Sequence, residues 1–333
     1  MMKIAYLGAG VWGFALAKLL ADKGYEVLTW CRDPSFVETL NKNKEHPKLP
    51  GIQASGNLRF TNDMGEALES ADLIIESVSS SGIRDVFREV KRLGHTNTPI
   101  VITSKGIEQN TGLILSEVVI QEIGEDKRQL LGYLSGPSYA AEVVKGLPTG
   151  VVCTAYEHSV MMKIAEAFNT PRFRVYPNSD LIGVAMAGAL KNVIAIACGS
   201  VDGLGFGVSS KSALMTRGLH EISKLAIKKG CKPKTLYGLA GMGDLCLTCS
   251  SPLSRNYRFG TLLAQGKSVE EAKAQIGMVV EGAYTCVSAL QISRQENVEM
   301  PITEAVYNVI YENMSPHDAV LSLMQRAVKE EHL

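Results

Sequence analysis

A single lysine interrupts two uncharged stretches: residues 181–190 and 192–201 contain no Asp, Glu, Lys or Arg, and Lys191 stands between them. Ala187, Gly188, Ile194 and Ala195, about one helical turn away, offer it no counter-charge. The aliphatic stem could snorkel and keep the ammonium wet. Burial would instead lower the amine pKa towards the range useful for proton transfer. Lys191 is therefore the candidate general acid/base, giving a proton to a carbonyl oxygen, or taking one from an alcohol, as hydride moves at the adjacent carbon. Neither apolar stretch is long enough to span a bilayer, so no membrane insertion is expected. Of the histidines (His46, His95, His158, His220, His317 and His332), none follows a glycine-rich loop or closes a strand, and lysine is the better candidate.

A second pattern is Gly8-Ala9-Gly10-Val11-Trp12-Gly13, after an apolar run and before a helical one. Gly8 suits a tight turn, Gly10 the close approach of a phosphate, and Gly13 the packing of helix on strand. Bare N–H groups at that helix start, with the dipole behind them, would attract a pyrophosphate. The bland alternative is a tight turn with no ligand. The second strand ends Trp30-Cys31-Arg32-Asp33. Arg32 comes where an acid would hold the ribose hydroxyls of NAD, and arginine suits the extra phosphate of NADP. NADPH is the favoured cofactor; Asp33 keeps NADH open.

Other polar residues follow apolar runs. Lys105 closes the run 101–104, and Gly136-Pro137-Ser138 follows another. Gly241-Met242-Gly243-Asp244 is a tight turn ending in a carboxylate, and Ser254-Arg255-Asn256 groups donors suited to an anion. A guanidinium makes paired, charge-assisted bonds to phosphate, although Arg255 alone would equally suit a surface ion pair. Cys246 and Cys249 have no second close pair to complete a zinc site, so no metal is expected.

These groups need a scaffold, and the first third supplies alternating apolar runs and helical patterns, as in parallel βαβ units. Strands are expected over 4–7, 26–31, 58–60, 73–78, 100–103, 132–134 and 151–154, and helices over 12–23, 66–70 and 112–123. Such sheets bind ligands outside the carboxyl ends of their strands. After about Tyr176 no strand is evident. Ser268 with Glu271, and Ser315 with Pro316, mark helix starts; Pro301 opens another helix, and Gly230 ends one over 209–229. Residues 178–201 read as one helix joining the halves. The expected fold is α/β: a Rossmann-like, doubly wound, mostly parallel sheet over 1–180 binds the dinucleotide. An all-α C-terminal domain over 181–333 follows, for substrate and catalysis.

A chain of 333 residues exceeds what one core usually organises. Hydrophobic residues at 46% and charged residues at 20% are a globular balance. Lys plus Arg number 34 against 34 Asp plus Glu, which disfavours a nucleic-acid partner. The basic run over 84–92 contains Asp85 and Glu89 and reads as a solvated helix face. Seven cysteines point to reduced thiols and a cytoplasmic setting, and the N-terminus enters the glycine loop without a cleavable-signal pattern.

Together these motifs resemble the soluble, NAD(P)-dependent glycerol-3-phosphate dehydrogenase family, particularly its bacterial members. The resemblance runs from the glycine loop through Ser104-Lys105-Gly106, Gly136 to Ala140, Ala189 to Asn192, Gly241 to Leu245, Ser254 to Asn256 and Val279 to Gly282. It implies interconversion of dihydroxyacetone phosphate and sn-glycerol 3-phosphate, feeding glycerophospholipid synthesis. By that resemblance Lys191 is the general acid/base and Lys105 faces both substrate and nicotinamide. Gly136, Ser138, Asn192 and Asp244 line the substrate pocket and Arg255 and Asn256 take the phosphate, with Ser254 beside them as a further substrate-binding candidate. Gly8, Gly10, Val11, Trp12, Gly13, Arg32, Ala140, Arg255, Val279 and Glu281 contact the dinucleotide, and a homodimer is implied. Val11 stands where serine is frequent in the family, and Phe14 where threonine is usual. The rival readings are another hydroxyacid-type NAD(P) dehydrogenase, which would not need Arg255 and Asn256, and a non-catalytic dinucleotide sensor, which would not need a buried amine.

Overall fold

The computed structural model describes residues 2–328 and 330–331. The chain forms two compact units, one of Met1–Ser104 with Leu115–Leu181, the other of Lys105–Ile114 with Ile182–Leu333. Residues 105–114 thus group with the second unit, although the sequence reading put all of 1–180 in the first.

The first unit is built on β1 (Lys3–Leu7), β2 (Glu26–Trp30), β3 (Leu58–Thr61), β4 (Leu73–Glu76), β5 (Ile100–Ile102), β6 (Leu131–Ser135), β7 (Thr149–Ala155) and β8 (Phe173–Pro177). Their order across the sheet is β3-β2-β1-β4-β5-β6-β7-β8. Strands β1 to β6 are parallel; β7 runs antiparallel to β6, and β8 parallel to β7. Central strands covered by helices on both faces must be apolar on both. Accordingly Ile74, Ile75, Ile100, Val101 and Ile102 are all buried. Between its neighbours, β1 pairs Ile4 with Val27 on one side and with Leu73 on the other. That reversal of direction in strand order opens the crevice at its carboxyl end.

All seven expected strands are present; β8 was not expected. Its alternation is weak because Arg174, Tyr176 and Pro177 face outward while Phe173 and Val175 are buried, as suits an edge strand. The helix expected from 112 begins only at Leu115. Gly112 is left-handed at φ +71°, and Ile107 bridges Ile114, so this stretch closes a small hairpin.

The second unit surrounds the helix Leu181–Gly203. By length and hydropathy this helix could cross a membrane, but 89% of its apolar window is buried within the protein, which makes it a core helix. Helices Gly207–Lys228, Arg255–Ala264, Glu281–Gln295 and Pro301–Tyr311 belong to the same unit. Val193 and Ile196 share a core with Phe259, Cys286 and Val306, each such burial contributing roughly 1.5–3 kcal/mol. At Gly282 a methyl group would lie 2.5 Å from the Asn192 carbonyl oxygen, so glycine is what lets two helices cross here. The expected caps are formed: Ser268 Oγ accepts from Glu271 N–H, Glu271 accepts from Ser268 N–H, and Ser315 Oγ accepts from Asp318 N–H. Buried Glu221 receives the N–H groups of Ile302 (2.5 Å) and Thr303 (3.2 Å) at the start of Pro301–Tyr311.

Candidate active site

In the first unit β1 runs straight into the glycine turn. Gly8 sits at φ +112°, where a side chain is strained, and a methyl there would meet the Ser77 carbonyl oxygen at 2.7 Å. At Gly13 a methyl would lie 2.1 Å from the Gly8 carbonyl oxygen, so the helix Val11–Asp22 can start tight against the turn only without one. Gly10 is the N-cap residue, exposed, with open space around its α-carbon. No side chain caps this helix and no acid lies in its first turn. Backbone donors, a positive dipole end and free space suit a pyrophosphate.

Val11 and Trp12 are partly buried against the core of this unit, and Phe14 is wholly buried, stacked on Phe60 at 6.1 Å and tilted against His46 at 5.7 Å. Phe14, one of the two departures from the family pattern, is therefore a packing residue. Beyond β2, exposed Arg32 lines a 510 Å³ cavity with Trp30, Asn62, Asp63, Asp85 and Glu89. Asp33 is committed elsewhere: it caps the helix Pro34–Asn43, accepting from Ser35 N–H at 2.9 Å, Ser35 Oγ at 2.7 Å and Phe36 N–H at 3.3 Å. Those bonds hold its carboxyl below the usual range. After β6, Gly136 is at φ +134°, Ser138 Oγ donates to the Gly136 carbonyl at 3.2 Å, and Ala140 opens the short helix Ala140–Val143.

In the second unit the Lys191 side chain is 7% exposed, which excludes snorkelling. Its ammonium donates to Asp244 Oδ1 at 2.6 Å and to Thr248 Oγ1 at 2.5 Å. The Thr248 hydroxyl spends its own proton on the Asp244 main-chain carbonyl at 2.6 Å, so it meets Lys191 as an acceptor. The bonds to Asp244 and Thr248 engage two of the three ammonium hydrogens. The other carboxylate oxygen, Asp244 Oδ2, accepts from Lys105 Nζ at 2.6 Å. One nearly inaccessible carboxylate is shared by two ammonium groups. Burial pulls the Lys191 pKa down to about 8; Asp244 resists this and the Lys105 charge adds to it.

Local structure places these groups. Lys191 is in the middle of the rigid core helix. Asp244 begins the helix Asp244–Ser250 directly after a π-helical turn, Leu239–Gly243, a distortion frequent at functional sites. Thr248 follows Asp244 by four residues and so shares its helix face. Sequence reasoning missed Thr248; the i, i+4 spacing from Asp244 was the available signal.

A chain of amides begins on the same core helix and runs across two others. The Gly282 N–H donates to Asn256 Oδ1 at 2.9 Å, which obliges Asn256 to present its NH₂ to Asn192 Oδ1 at 3.0 Å. Asn192 is thereby oriented, with its oxygen accepting this bond and its own NH₂ on the other side of the amide. Ser254 is buried, and its Oγ accepts from Tyr257 N–H at 3.2 Å as N-cap of the helix Arg255–Ala264. Burial presses the Arg255 pKa down, opposed by the charge of Glu281 at the start of Glu281–Gln295. Val279 is exposed two residues earlier. Lys105, Lys191 and Asp244 therefore meet directly, Asn192 and Asn256 form a second group, and Arg255 faces Glu281. Gly136, Ser138 and Ala140 belong to the first unit with the glycine turn. Among the described residues no group of three or more His, Cys, Asp or Glu could hold a metal, and all seven cysteines are free thiols.

A doubly wound sheet with an open glycine turn, joined in one chain to a buried amine and a set of anion-binding donors, defines an NAD(P)-linked dehydrogenase. The chain belongs to the NAD-dependent glycerol-3-phosphate dehydrogenase family, matching its N-terminal part over residues 3–161 and its C-terminal part over 180–321. It is 61% identical over 333 residues to the glycerol-3-phosphate dehydrogenase [NAD(P)+] of Protochlamydia amoebophila, covering 100% of both chains. The enzyme of that name from Chlamydia caviae is 57% identical over 331 residues, with 99% of each covered. A crystal structure of glycerol-3-phosphate dehydrogenase from Coxiella burnetii superimposes with a TM-score of 0.93 at 37% identity, covering 97% of this chain and 98% of that one.

Proposed function

We propose that this protein interconverts dihydroxyacetone phosphate and sn-glycerol 3-phosphate, with Lys191 as the general acid/base. The observation that carries the mechanism is the buried Lys191 ammonium, held by Asp244 and Thr248. When bound at the glycine turn, a nicotinamide cofactor would supply the hydride for the ketone carbon, or accept it from the alcohol. Lys191 gives its proton to the ketone oxygen as charge develops there, and in reverse takes the hydroxyl proton. Asp244 keeps the amine in place and balances its charge. Lys105, bound to the same carboxylate, adds a positive charge that favours proton release and attracts the phosphorylated substrate. Arg255 and Asn256 take the phosphate, and the Asn192 amide binds a substrate oxygen.

The uncapped helix start behind Gly8, Gly10 and Gly13 is suited to the pyrophosphate, by backbone donors that Val11 and Trp12 retain whatever their side chains. Arg32 would pair with the additional phosphate of NADPH, and Asp33, occupied in capping, is poorly free to hold ribose hydroxyls; NADPH is the favoured cofactor. The cytoplasmic setting and the homodimer belong to the same proposal, the first resting on the free cysteines and the second on family resemblance.

Mixing the protein with dihydroxyacetone phosphate and either NADPH or NADH, and following nicotinamide absorbance, tests the reaction and the preference together. Oxidation of the reduced cofactor, faster with NADPH, is expected. No oxidation with either removes the substrate assignment, and an Arg32→Ala variant with an unaltered NADPH to NADH ratio removes the role of Arg32.

A further inference from the structure

One face of the helix Glu281–Gln295 is given over to the hairpin 105–114. Ser288 Oγ, wholly buried, donates to the Ile107 carbonyl at 3.2 Å. Gln291 Nε2 donates to the Asn110 carbonyl at 2.7 Å, and the Tyr284 carbonyl accepts from Gln109 Nε2 at 3.4 Å. Ile292 lies where a methyl on Gly112 would meet it at 3.0 Å. Residues 284, 288, 291 and 292 share one stripe of a helix. The hairpin is also closed on itself: Glu108 N–H donates to the Leu113 carbonyl at 2.9 Å, and Thr111 Oγ1 donates to Glu108 at 2.6 Å. A stiff hairpin is thus fastened along its length to one helix, and the fastening nearest Lys105 is two residues from it.

We propose that Ser288 and Gln291 are positioning residues for Lys105, fixing the hairpin so that the Lys105 ammonium meets the carboxylate shared with Lys191. A lysine stem has several rotatable bonds, and holding its backbone removes much of the freedom that would otherwise let the charge wander. The inference rests on the reading of Lys105 as part of the active site. It adds a mechanical link from the helix that starts at Glu281, and carries the Gly282 N–H bonded to Asn256, to the second amine of the site.

The test uses the full-length protein with NADPH and dihydroxyacetone phosphate. Turnover, KM for each substrate, the pH profile and Tm are measured for Ser288→Ala, Gln291→Ala, their double variant and Lys105→Met, and for the double variant combined with Lys105→Met. The double variant should lose about tenfold in turnover, because small misplacements of a reacting group are costly. Its KM for NADPH should stay constant. The pH at which ketone reduction fails should move upward, as in Lys105→Met, because a withdrawn Lys105 no longer depresses the Lys191 pKa. In the Lys105→Met background the two alanines should cost nothing further. Gln291→Glu keeps the length but loses the donor and should behave as Gln291→Ala. Equal proportional losses with and without Lys105, or a lowered Tm with an unmoved pH profile, would overturn the positioning role. Unchanged turnover in Lys105→Met would instead overturn the reading of Lys105 itself, which is a separate failure.

Discussion

The glycine turn of the first unit and the lysine cluster of the second are built on opposite principles. The turn presents backbone N–H groups, and its demands are for missing atoms: no β-carbon at Gly8 or Gly13, no capping side chain and no acid in the first helical turn. The cluster presents side chains, and its demands are for atoms present: an amine within 2.6 Å of both a carboxylate and a hydroxyl, which themselves lie 3.4 Å apart. The first should tolerate side-chain change around its rim, as at Val11, because its donors are backbone groups. The second should tolerate almost none.

That contrast can be broken by experiment, beginning where the largest effect is expected. Lys191→Ala should lower turnover by about a thousandfold while NADPH affinity stays near normal, because general acid/base catalysis contributes roughly 10²–10⁴-fold. Stopped-flow turnover and cofactor titration check it, and near-normal turnover would end the mechanism. Gly13→Ala should do the reverse. Its methyl, 2.1 Å from the Gly8 carbonyl oxygen, must push turn and helix apart, with about 2–4 kcal/mol lost in denaturant melts and a collapse of cofactor binding. Arg255→Ala should raise the dihydroxyacetone phosphate requirement by about 10- to 100-fold, the loss of one charge-assisted pair, with a smaller effect on turnover. A steady-state titration of substrate decides this.

The pH dependence sharpens the comparison because it belongs to the cluster alone. Lys191 has a pKa lowered to about 8 and must be protonated to act as an acid. Ketone reduction should therefore fall about tenfold per pH unit above that value, and glycerol phosphate oxidation, which needs the neutral amine, should fall below it. A reduction rate flat from neutral to strongly alkaline pH would show that another group gives the proton. The smallest effect is reserved for the turn: Val11→Ser should change NADPH affinity by less than about 0.5 kcal/mol, since the backbone donor is unaltered. A large gain in affinity would show that the rim matters more than the backbone.

The same contrast explains what was legible in the chain. A backbone site depends on a local pattern, so Gly8, Gly10 and Gly13 declare themselves within six residues, and their strand and helix lie on either side. Lys191 was visible because burial of a lone charge leaves a mark in the surrounding composition. Its partners were not visible by pattern alone: Asp244 and Thr248 approach it from more than fifty residues away, through a π-helical turn that no periodicity announces. The carboxylate of Asp244 stood out at the end of a glycine-rich turn and the family resemblance put it in the substrate pocket, whereas Thr248 was missed. β8 escaped because half of it faces outward, and the hairpin 105–114 because its second half, from Gly112 to Ile114, read as the start of the following helix.

One carboxylate serving two amines has a consequence for how this chemistry can change over time. Asp244 cannot be retuned for Lys191 without also disturbing Lys105, and neither lysine can be exchanged without handing its partner a different electrostatic neighbourhood. Drift towards a new substrate is therefore easier through residues outside this triad, leaving the triad to be inherited whole.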